Sequence, residues 1–277
     1  MTYNQADLIL IEARINDALC RVYRGDTLLH QTKIDLGNSD TALVQALSGW
    51  ISDKTQIISN RSDTQGMNMV PVAAKPEIIQ THVDDPRVEM LHYKGVCQAQ
   101  PPAILTQGSA QIFGYLAQNP EFDGVLCLVD DHTSWARISA EEIVSFANFA
   151  TGEVYRTLTR GEFANDAGAA FLAGVEQGYS APAKFASRLN SIRAGQVLNG
   201  VSHAGANAQI CGLFIGAEIA SARPYWLGMP VVVIGDDAPA RAYQSALLAQ
   251  GVSCETYDAH TARMRGIQII RDAAAQT

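Results

Sequence analysis

The sequence predicts an α/β protein of two related lobes that face a central cleft. Two observations support this prediction. The chain has 277 residues, of which 47% are hydrophobic and 17% charged, so it can bury the cores of two ordinary domains. A pattern of three short strands followed by a helix also occurs twice along the chain, first near the N-terminus and again from Gly124.

The first copy opens with short strands at 8–12, 19–24 and 27–33. Gly25-Asp26 supplies a tight hairpin turn between the last two. Apolar residues at helical spacing then predict a helix over 41–52.

The remainder of this copy contains a strand, a long turn-rich stretch and a second helix. The strand is expected at 56–59, and the stretch from Ser62 to Pro102 is punctuated by glycine and proline. Helical spacing returns over 103–118. We therefore expect the lobe boundary at 120/121, which gives lobes of 1–120 and 121–277.

The second copy repeats this order. The segments GVLCLV, SWARI and EIVSFANFA are strand-like, and a helix is expected to start with Thr151 as its cap. PVVVIG and CETY predict two further strands. Further helices are expected at about 165–178, 182–199, 204–222, 237–250 and 260–274.

Charge and cysteine usage narrow the functional classes. A net charge of −8 and a pI near 5.2 argue against nucleic-acid binding, which needs a basic face. The five cysteines are scattered, which fits reduced thiols in a cytoplasmic protein. Neither a signal peptide nor a membrane span is predicted, so no membrane partner is expected.

The most conspicuous candidate site is Asp130-Asp131-His132, which directly follows an apolar strand. A metal cluster, a catalytic pair, a phosphate loop and a plain polar turn are all compatible with these residues. The other histidines lack metal-ligand spacing, and no G-x-S-x-G elbow is present. Gly235 ends another strand where a ligand could approach, whereas Gly212 and Gly216 fit close helix packing as readily as a site.

Five segments together resemble one family of sugar-acid kinases. They are FATGEVYRTL, AFLAGVEQG, SRLNSIRA, CGLFIGAEIASAR and VIGDDAPARAYQSALLAQGV. With the pattern LVDDHTSW, they resemble the 2-dehydro-3-deoxygalactonokinase family of the actin/hexokinase superfamily. The resemblance implies two ribonuclease-H-like (actin-like ATPase) lobes, with the sugar acid on the N-terminal side and the nucleotide on the C-terminal side.

The phosphate-loop motifs depart from the family pattern. The first family loop reads D-W-G-[ST]-[ST]-N-x-R, and the chain has Glu12 for the acid and Arg14 for the glycine. The second reads P-G-T-H-[SC]-K-W, and the chain has Asp130-Asp131 for Gly-Thr but keeps His132 and Trp135. Two carboxylates at a triphosphate site repel it unless a cation intervenes, and Mg²⁺ is one candidate.

The resemblance implies roles for individual residues. Glu12 and Asp17 would be catalytic, with Glu12 and Asp130 as metal ligands for Mg²⁺. Gly66 matches the family's substrate segment, where Met67 stands in place of an aromatic residue, and Arg61 beside it is a further candidate for the sugar carboxylate. The residues expected at ATP are Asp130, Asp131, His132, Thr133, Thr151, Gly152, Gly212, Gly216 and Gly235.

Three functions remain open from the sequence. The first is ATP-dependent phosphorylation of 2-dehydro-3-deoxy-D-galactonate, or a related 2-keto-3-deoxy sugar acid, at its 6-hydroxyl. The second is a catalytically impaired paralogue that binds a sugar acid or nucleotide, and the third, well behind, is a metal-dependent hydrolase. A homodimer is also left open.

Overall fold

The computed structural model describes residues 6–13, 17–35, 39–60, 66–79, 81–105, 108–159 and 168–276. The chain divides into two compact units. Unit 1 comprises Met1–Gln118 together with Arg263–Thr277, and unit 2 comprises Asn119–Ala262. The division near residue 120 lies close to the expected boundary, but the C-terminal segment belongs to unit 1.

Unit 1 contains strands, two short helices and most of a long C-terminal helix. Its strands are β1 (Ala6–Ala13), β2 (Ala18–Arg24), β3 (Thr27–Ile34), β4 (Ile51–Ser59), β5 (Asn68–Met69), β6 (Val72–Ala73), β7 (Ile78–Ile79), β8 (Val88–Tyr93), β9 (Val96–Gln98) and β10 (Ala103–Leu105). Its helices are α1 (Asp40–Ala46) and α2 (Ser109–Leu116).

The main sheet of unit 1 has the order β3-β2-β1-β4-β8-β7. Strands β1, β2 and β3 pair antiparallel, whereas β4 joins β1 in parallel and β8 joins β4 in parallel. A smaller sheet has the order β10-β9-β5. This order of three antiparallel strands followed by parallel additions is the ribonuclease-H-like arrangement.

Strand β1 is apolar on both faces because helices cover each side of the sheet. Ile9 and Ile11 pack in one core cluster with Leu43 of α1. Leu8 and Leu10 pack in another cluster, which also contains Phe113 of α2 and the C-terminal Ile267 and Ile270. These last two residues explain why the C-terminal segment belongs to unit 1.

Unit 1 differs from the prediction in three features. Strands β5 to β9 lie inside the stretch that the turn residues predict to be irregular. Residues 103–105 form β10, so the helix predicted over 103–118 begins only at Ser109. Helix α1 ends at Ala46, several residues before the predicted end, and Trp50 donates its amide to Leu47 in the turn that follows. The strand expected at 56–59 is confirmed and begins at Ile51.

Unit 2 repeats the same sheet order. Its strands are β11 (Gly124–Leu128), β12 (Thr133–Ser139), β13 (Glu142–Phe149), β14 (Val231–Gly235) and β15 (Cys254–Asp258). They follow the order β13-β12-β11-β14-β15, with β14 parallel to β11 and β15 parallel to β14. The predicted duplication of a ribonuclease-H-like unit is therefore confirmed.

The helices of unit 2 cover one face of this sheet. They are α3 (Thr151–Thr159), α4 (Ala169–Ser180), α5 (Phe185–Leu198), α6 (His203–Ser221), α7 (Arg223–Trp226) and α8 (Asp237–Ala249), with a short 3₁₀ turn at Pro182–Lys184. Helix α9 (Ala259–Ala274) begins in unit 2 and continues into unit 1. Within the described part of the chain, no helix is long and apolar enough to cross a membrane.

Helices α4 and α6 approach each other more closely than side chains normally permit. A Cβ atom on Gly212 would lie 2.8 Å from the Val175 amide nitrogen and closer still to the Phe171 carbonyl oxygen. Gly174 faces α6 in the same way, with a Cβ position 2.9 Å from the Leu213 amide nitrogen. Glycines on both helices therefore let the two backbones touch.

Candidate active site

The segment Asp130-Asp131-His132 lies at the carboxyl end of β11, where α/β sheets commonly bind ligands. The Val129 amide still donates to the Ile234 carbonyl at 2.8 Å, so the strand pairing continues up to the site. Asp130 is half-buried, and its Oδ1 accepts the Asp131 amide at 2.8 Å. We call residues 130–133 the second loop.

The first turns of α3 hold the second loop in place. The Glu153 amide donates to the Asp131 carbonyl at 3.0 Å, and His132 Nε2 lies 2.7 Å from Glu153 Oε2. Arg156 forms an ion pair with the Asp131 carboxylate. The positive end of the α3 dipole favours the same carboxylate.

Arg156 thus supplies a cation beside Asp131 that the phosphate-loop motif does not contain. The expected repulsion between Asp131 and a phosphate is reduced by a side chain of this chain, without a metal ion. The arginine and the aspartate are separated in sequence by the whole β12–β13 hairpin, so no local motif reveals the pair.

Thr133 begins β12 and is fully buried. Its hydroxyl lies 2.9 Å from the Tyr243 hydroxyl and is also hydrogen-bonded to Glu218. Thr151, the first residue of α3, hydrogen-bonds the same carboxylate. Both threonine hydroxyls predicted to face the nucleotide therefore contact one buried acid, Glu218, which lies in the otherwise apolar helix α6.

The predicted glycines lie in three different settings. Gly152 is buried in the first turn of α3. Gly235 ends β14, where a Cβ atom would lie 3.1 Å from the Val129 Cβ and 3.3 Å from the Ala240 Cβ. Gly212 and Gly216 face α4, so helix packing accounts for glycine at both positions, and their role at a nucleotide stays a prediction.

In unit 1, Glu12 is a buried acid at the carboxyl end of β1. Its side chain is 2% exposed and forms an ion pair with Arg21 of β2, which is also buried. The other carboxylate oxygen accepts the Gly108 amide at 3.4 Å, immediately before α2. Arg21 in turn donates through Nε to Gln31 at 2.9 Å.

Two tyrosines extend the polar surroundings of Glu12. Burial raises the pKa of Tyr93, and the Glu12 charge raises it further. Burial also raises the pKa of Tyr23, which Arg263 partly offsets by charge and a hydrogen bond. These phenols are neutral at physiological pH, so the ionic contact of Glu12 is with Arg21.

The other unit 1 candidates are less informative. Asp17 is half-buried just before β2, and Gly66 and Met67 are half-buried just before β5. Arg61 lies outside the described residues, as do Arg14 and the two residues after it. Among the described residues, no group of three or more histidine, cysteine or acidic side chains could hold a metal ion.

Three charged residues that contact the predicted site residues were not themselves predicted from the sequence. They are Arg21, Arg156 and Glu218. A signal was present for two of them, since Arg21 interrupts an apolar strand and Glu218 an apolar helix. A buried charge in an apolar run requires a partner, but the run does not say which.

Comparison with known proteins shows which protein family the chain is similar to. The sequence model of the 2-keto-3-deoxy-galactonokinase family matches residues 24–270. A protein of Rhizobium meliloti (strain 1021) described as a probable 2-dehydro-3-deoxygalactonokinase is 29% identical over 177 residues. That match covers 60% of this chain and 58% of the relative, so this chain spans less than two thirds of it.

Two further relatives match over nearly their full length. The Escherichia coli (strain K12) 2-dehydro-3-deoxygalactonokinase is 24% identical over 280 residues, which cover 92% of this chain and 94% of that protein. The crystal structure of a Sinorhizobium meliloti protein proposed to be a 2-dehydro-3-deoxygalactonokinase superposes with a TM-score of 0.73 at 23% identity. It covers 96% of this chain and 99% of the other, which confirms the fold. Because the family match extends over most of the sequence, this chain belongs to the 2-keto-3-deoxy-galactonokinase family.

Proposed function

We propose that this chain transfers the γ-phosphoryl group of ATP to the 6-hydroxyl of 2-dehydro-3-deoxy-D-galactonate or a closely related 2-keto-3-deoxy sugar acid. The observation that carries the proposal is the second loop. Its sequence resembles the family's second phosphate loop, it lies at the carboxyl end of β11, and Arg156 pairs with the acid that would otherwise repel phosphate.

The residues present fit a magnesium ion at Asp130 better than at Glu12. Mg²⁺ in kinases is held by one or two carboxylates, substrate phosphates and water. Asp130 is a half-buried carboxylate at a strand end, which suits such a site. Glu12 is almost fully buried and its oxygens contact Arg21 and the Gly108 amide, which does not favour direct ligation.

When bound, the metal would neutralise charge on the transferred phosphoryl group. Under this proposal Asp130 orients the hydrated ion, while Glu12 and Asp17 orient the attacking hydroxyl. His132, held by Glu153, and Gly152 and Gly235 shape the nucleotide side. Arg61 remains the candidate for the sugar carboxylate.

A reducing compartment fits the state of the cysteines. Cys20, Cys97, Cys127, Cys211 and Cys254 are all free. Unpaired thiols are usual in the cytoplasm, where disulfides rarely persist. We therefore propose a cytoplasmic location.

The function is tested by ADP release in the presence of the keto-deoxy sugar acid. We expect turnover only when sugar acid, ATP and Mg²⁺ are all present. Asp130→Asn should raise the Mg²⁺ concentration needed for half-maximal rate, whereas Asp84→Asn, at a fully exposed side chain, should not. Binding of ATP or sugar acid by calorimetry without turnover would instead select the impaired-paralogue function.

Arg156→Met is expected to raise the KM for ATP about tenfold, equivalent to about 1.4 kcal/mol. The change leaves the Asp131 carboxylate without its ion-pair partner beside the phosphates. Steady-state kinetics measures this effect, with Arg241→Gln on the exposed face of α8 as the control. The double variant Arg156→Met/Asp131→Asn should recover most of the ATP affinity; no recovery would show that Arg156 does not act through Asp131.

A further inference from the structure

Glu218 is a buried carboxylate in the apolar helix α6, with an exposed fraction of 3%. Its Oε1 accepts the Trp135 indole N–H at 2.8 Å, and its Oε2 accepts the Tyr243 hydroxyl at 2.7 Å. The hydroxyls of Thr133 and Thr151 bind the same carboxylate. Within the described residues, no lysine, arginine or histidine forms an ion pair with it.

These four donors come from the elements that form the second loop and from one helix beside it. Thr133 and Trp135 belong to β12, which starts where the second loop ends. Thr151 starts α3, the helix whose first turns hold Asp131 and His132. The carboxylate therefore joins both structures that position the second loop.

Among the described residues that interact with Glu218, two others are titratable, and neither changes charge near neutral pH. The Cys127 thiol on β11 and the Tyr243 phenol on α8 both have a pKa raised well above the ordinary value by burial. Helix α4 presents Gly174, Val175 and other buried apolar or glycine residues, and α5 presents Ile192. Of these contacting groups, Glu218 is thus the one that titrates near neutral pH.

We propose that Glu218 is a positioning residue for the nucleotide: its carboxylate fixes the hydroxyls of Thr133 and Thr151 and so holds the second loop in its phosphate-binding geometry. This inference rests on the proposed function and deepens it. The ionised carboxylate only accepts, so Trp135, Tyr243 and Thr151 can donate to it together, while Thr133 donates to the Tyr243 hydroxyl oxygen. A protonated Glu218 carries a hydrogen of its own, so at least one of these donors must turn away or reverse its hydrogen bond, and the second loop is held less firmly.

The protonation state changes within the physiological range. Burial raises the pKa of Glu218 from 4.5 to about 7, although the four hydrogen bonds lower it in part. For this group, folding stability is greatest below pH 4.5 and declines as the pH rises through about 7. Nucleotide binding should follow the opposite trend and strengthen as the pH rises, because the second loop is best ordered when Glu218 is ionised.

The opposite pH trends separate a positioning role from a purely structural one. In the wild type, the Kd for ADP measured by calorimetry should rise about tenfold between pH 8 and pH 6. Glu218→Gln should weaken ADP binding at pH 8 about tenfold and abolish the pH dependence. Glu176→Gln on the exposed face of α4 is the control and should behave as the wild type.

A second readout needs no ligand. The indole N–H resonance of Trp135, assigned with Trp135→Phe, should shift with a midpoint near pH 7 in the wild type and not in Glu218→Gln. If Glu218→Gln does not fold, Tyr243→Phe removes one donor, and the midpoint should then move to higher pH.

The outcomes are distinct. ADP binding that is the same at pH 6 and pH 8 in the wild type overturns the role of Glu218 but leaves the proposed function intact. A folded Glu218→Gln variant with the wild-type Kd for ADP and the wild-type pH dependence would also overturn the role of Glu218 and leave the proposed function intact. Absence of ADP binding at every pH overturns both proposals.

Discussion

Gly212→Ala is expected to destabilise the protein by about 3 kcal/mol, at the upper end of the usual cost of overpacking. The added methyl group would sit 2.8 Å from the Val175 amide nitrogen and nearer to the Phe171 carbonyl oxygen. Both neighbours are backbone atoms of α4, so no side chain can rotate away. The two helices must separate, and the packing around them is lost.

Chemical denaturation measures this loss, with a matched helix glycine as the control. Gly195 lies inside α5, and a Cβ atom there would meet only Val201 Cγ2 at 3.7 Å and Asn199 Nδ2 at 3.9 Å. Gly195→Ala should leave stability unchanged or raise it by about 0.5–1 kcal/mol, because alanine favours helix. Equal midpoints for the two variants would mean that α4 and α6 are not in backbone contact.

Arg21→Met is expected to lower the free energy of unfolding by about 3–5 kcal/mol, the usual cost of breaking a buried ion pair from one side. The change leaves Glu12, with 2% of its side chain exposed, buried without its cation. Most of this destabilisation comes from burying the Glu12 carboxylate without a partner, and less comes from the lost attraction to Arg21. The destabilisation should therefore disappear when the Glu12 charge is removed as well.

The double variant Arg21→Met/Glu12→Met tests that reasoning. Its stability should return to within about 1 kcal/mol of the wild type, because a buried ion pair can be replaced by apolar residues of similar size. Arg87→Met, in a surface pair with Asp85, should leave the unfolding midpoint unchanged. A double variant as unstable as the single one would show that Arg21 contributes through packing instead of charge.

Strands with continuous apolar runs could be predicted from the sequence because they are buried on both faces. This holds for β1, β11 and β14, and each was placed to within a few residues. Strand β8 could not be predicted from the sequence, because Glu89 and His92 break its apolar pattern and its neighbour β7 is only two residues long. Its place in the sheet depends on parallel pairing with β4, which has no local signal.

The candidate site was predictable in position but not in its charge pairing. The strand-end location of Asp130 and Glu12 follows from the sequence, because polar residues directly after or at the end of an apolar strand mark that edge. The pairing of the site's acids with Arg156 and Arg21 does not follow from the sequence, because each arginine reaches its acid only after the chain has folded back through a complete strand or hairpin. Glycine at 212 likewise fits either close helix packing or a nucleotide site in the sequence, and its contact with the α4 backbone, which explains the packing, is seen only in the structure.

The division of unit 1 across the sequence affects how the protein is made. Ile267 and Ile270 belong to its core, and Gly266 contacts the Ala110 backbone, yet all three are translated after the whole of unit 2. Until that segment is made, unit 1 exposes the apolar surface around Leu8 and Leu10. The first half of the chain therefore cannot complete its core until residues that follow the whole of unit 2 have joined it.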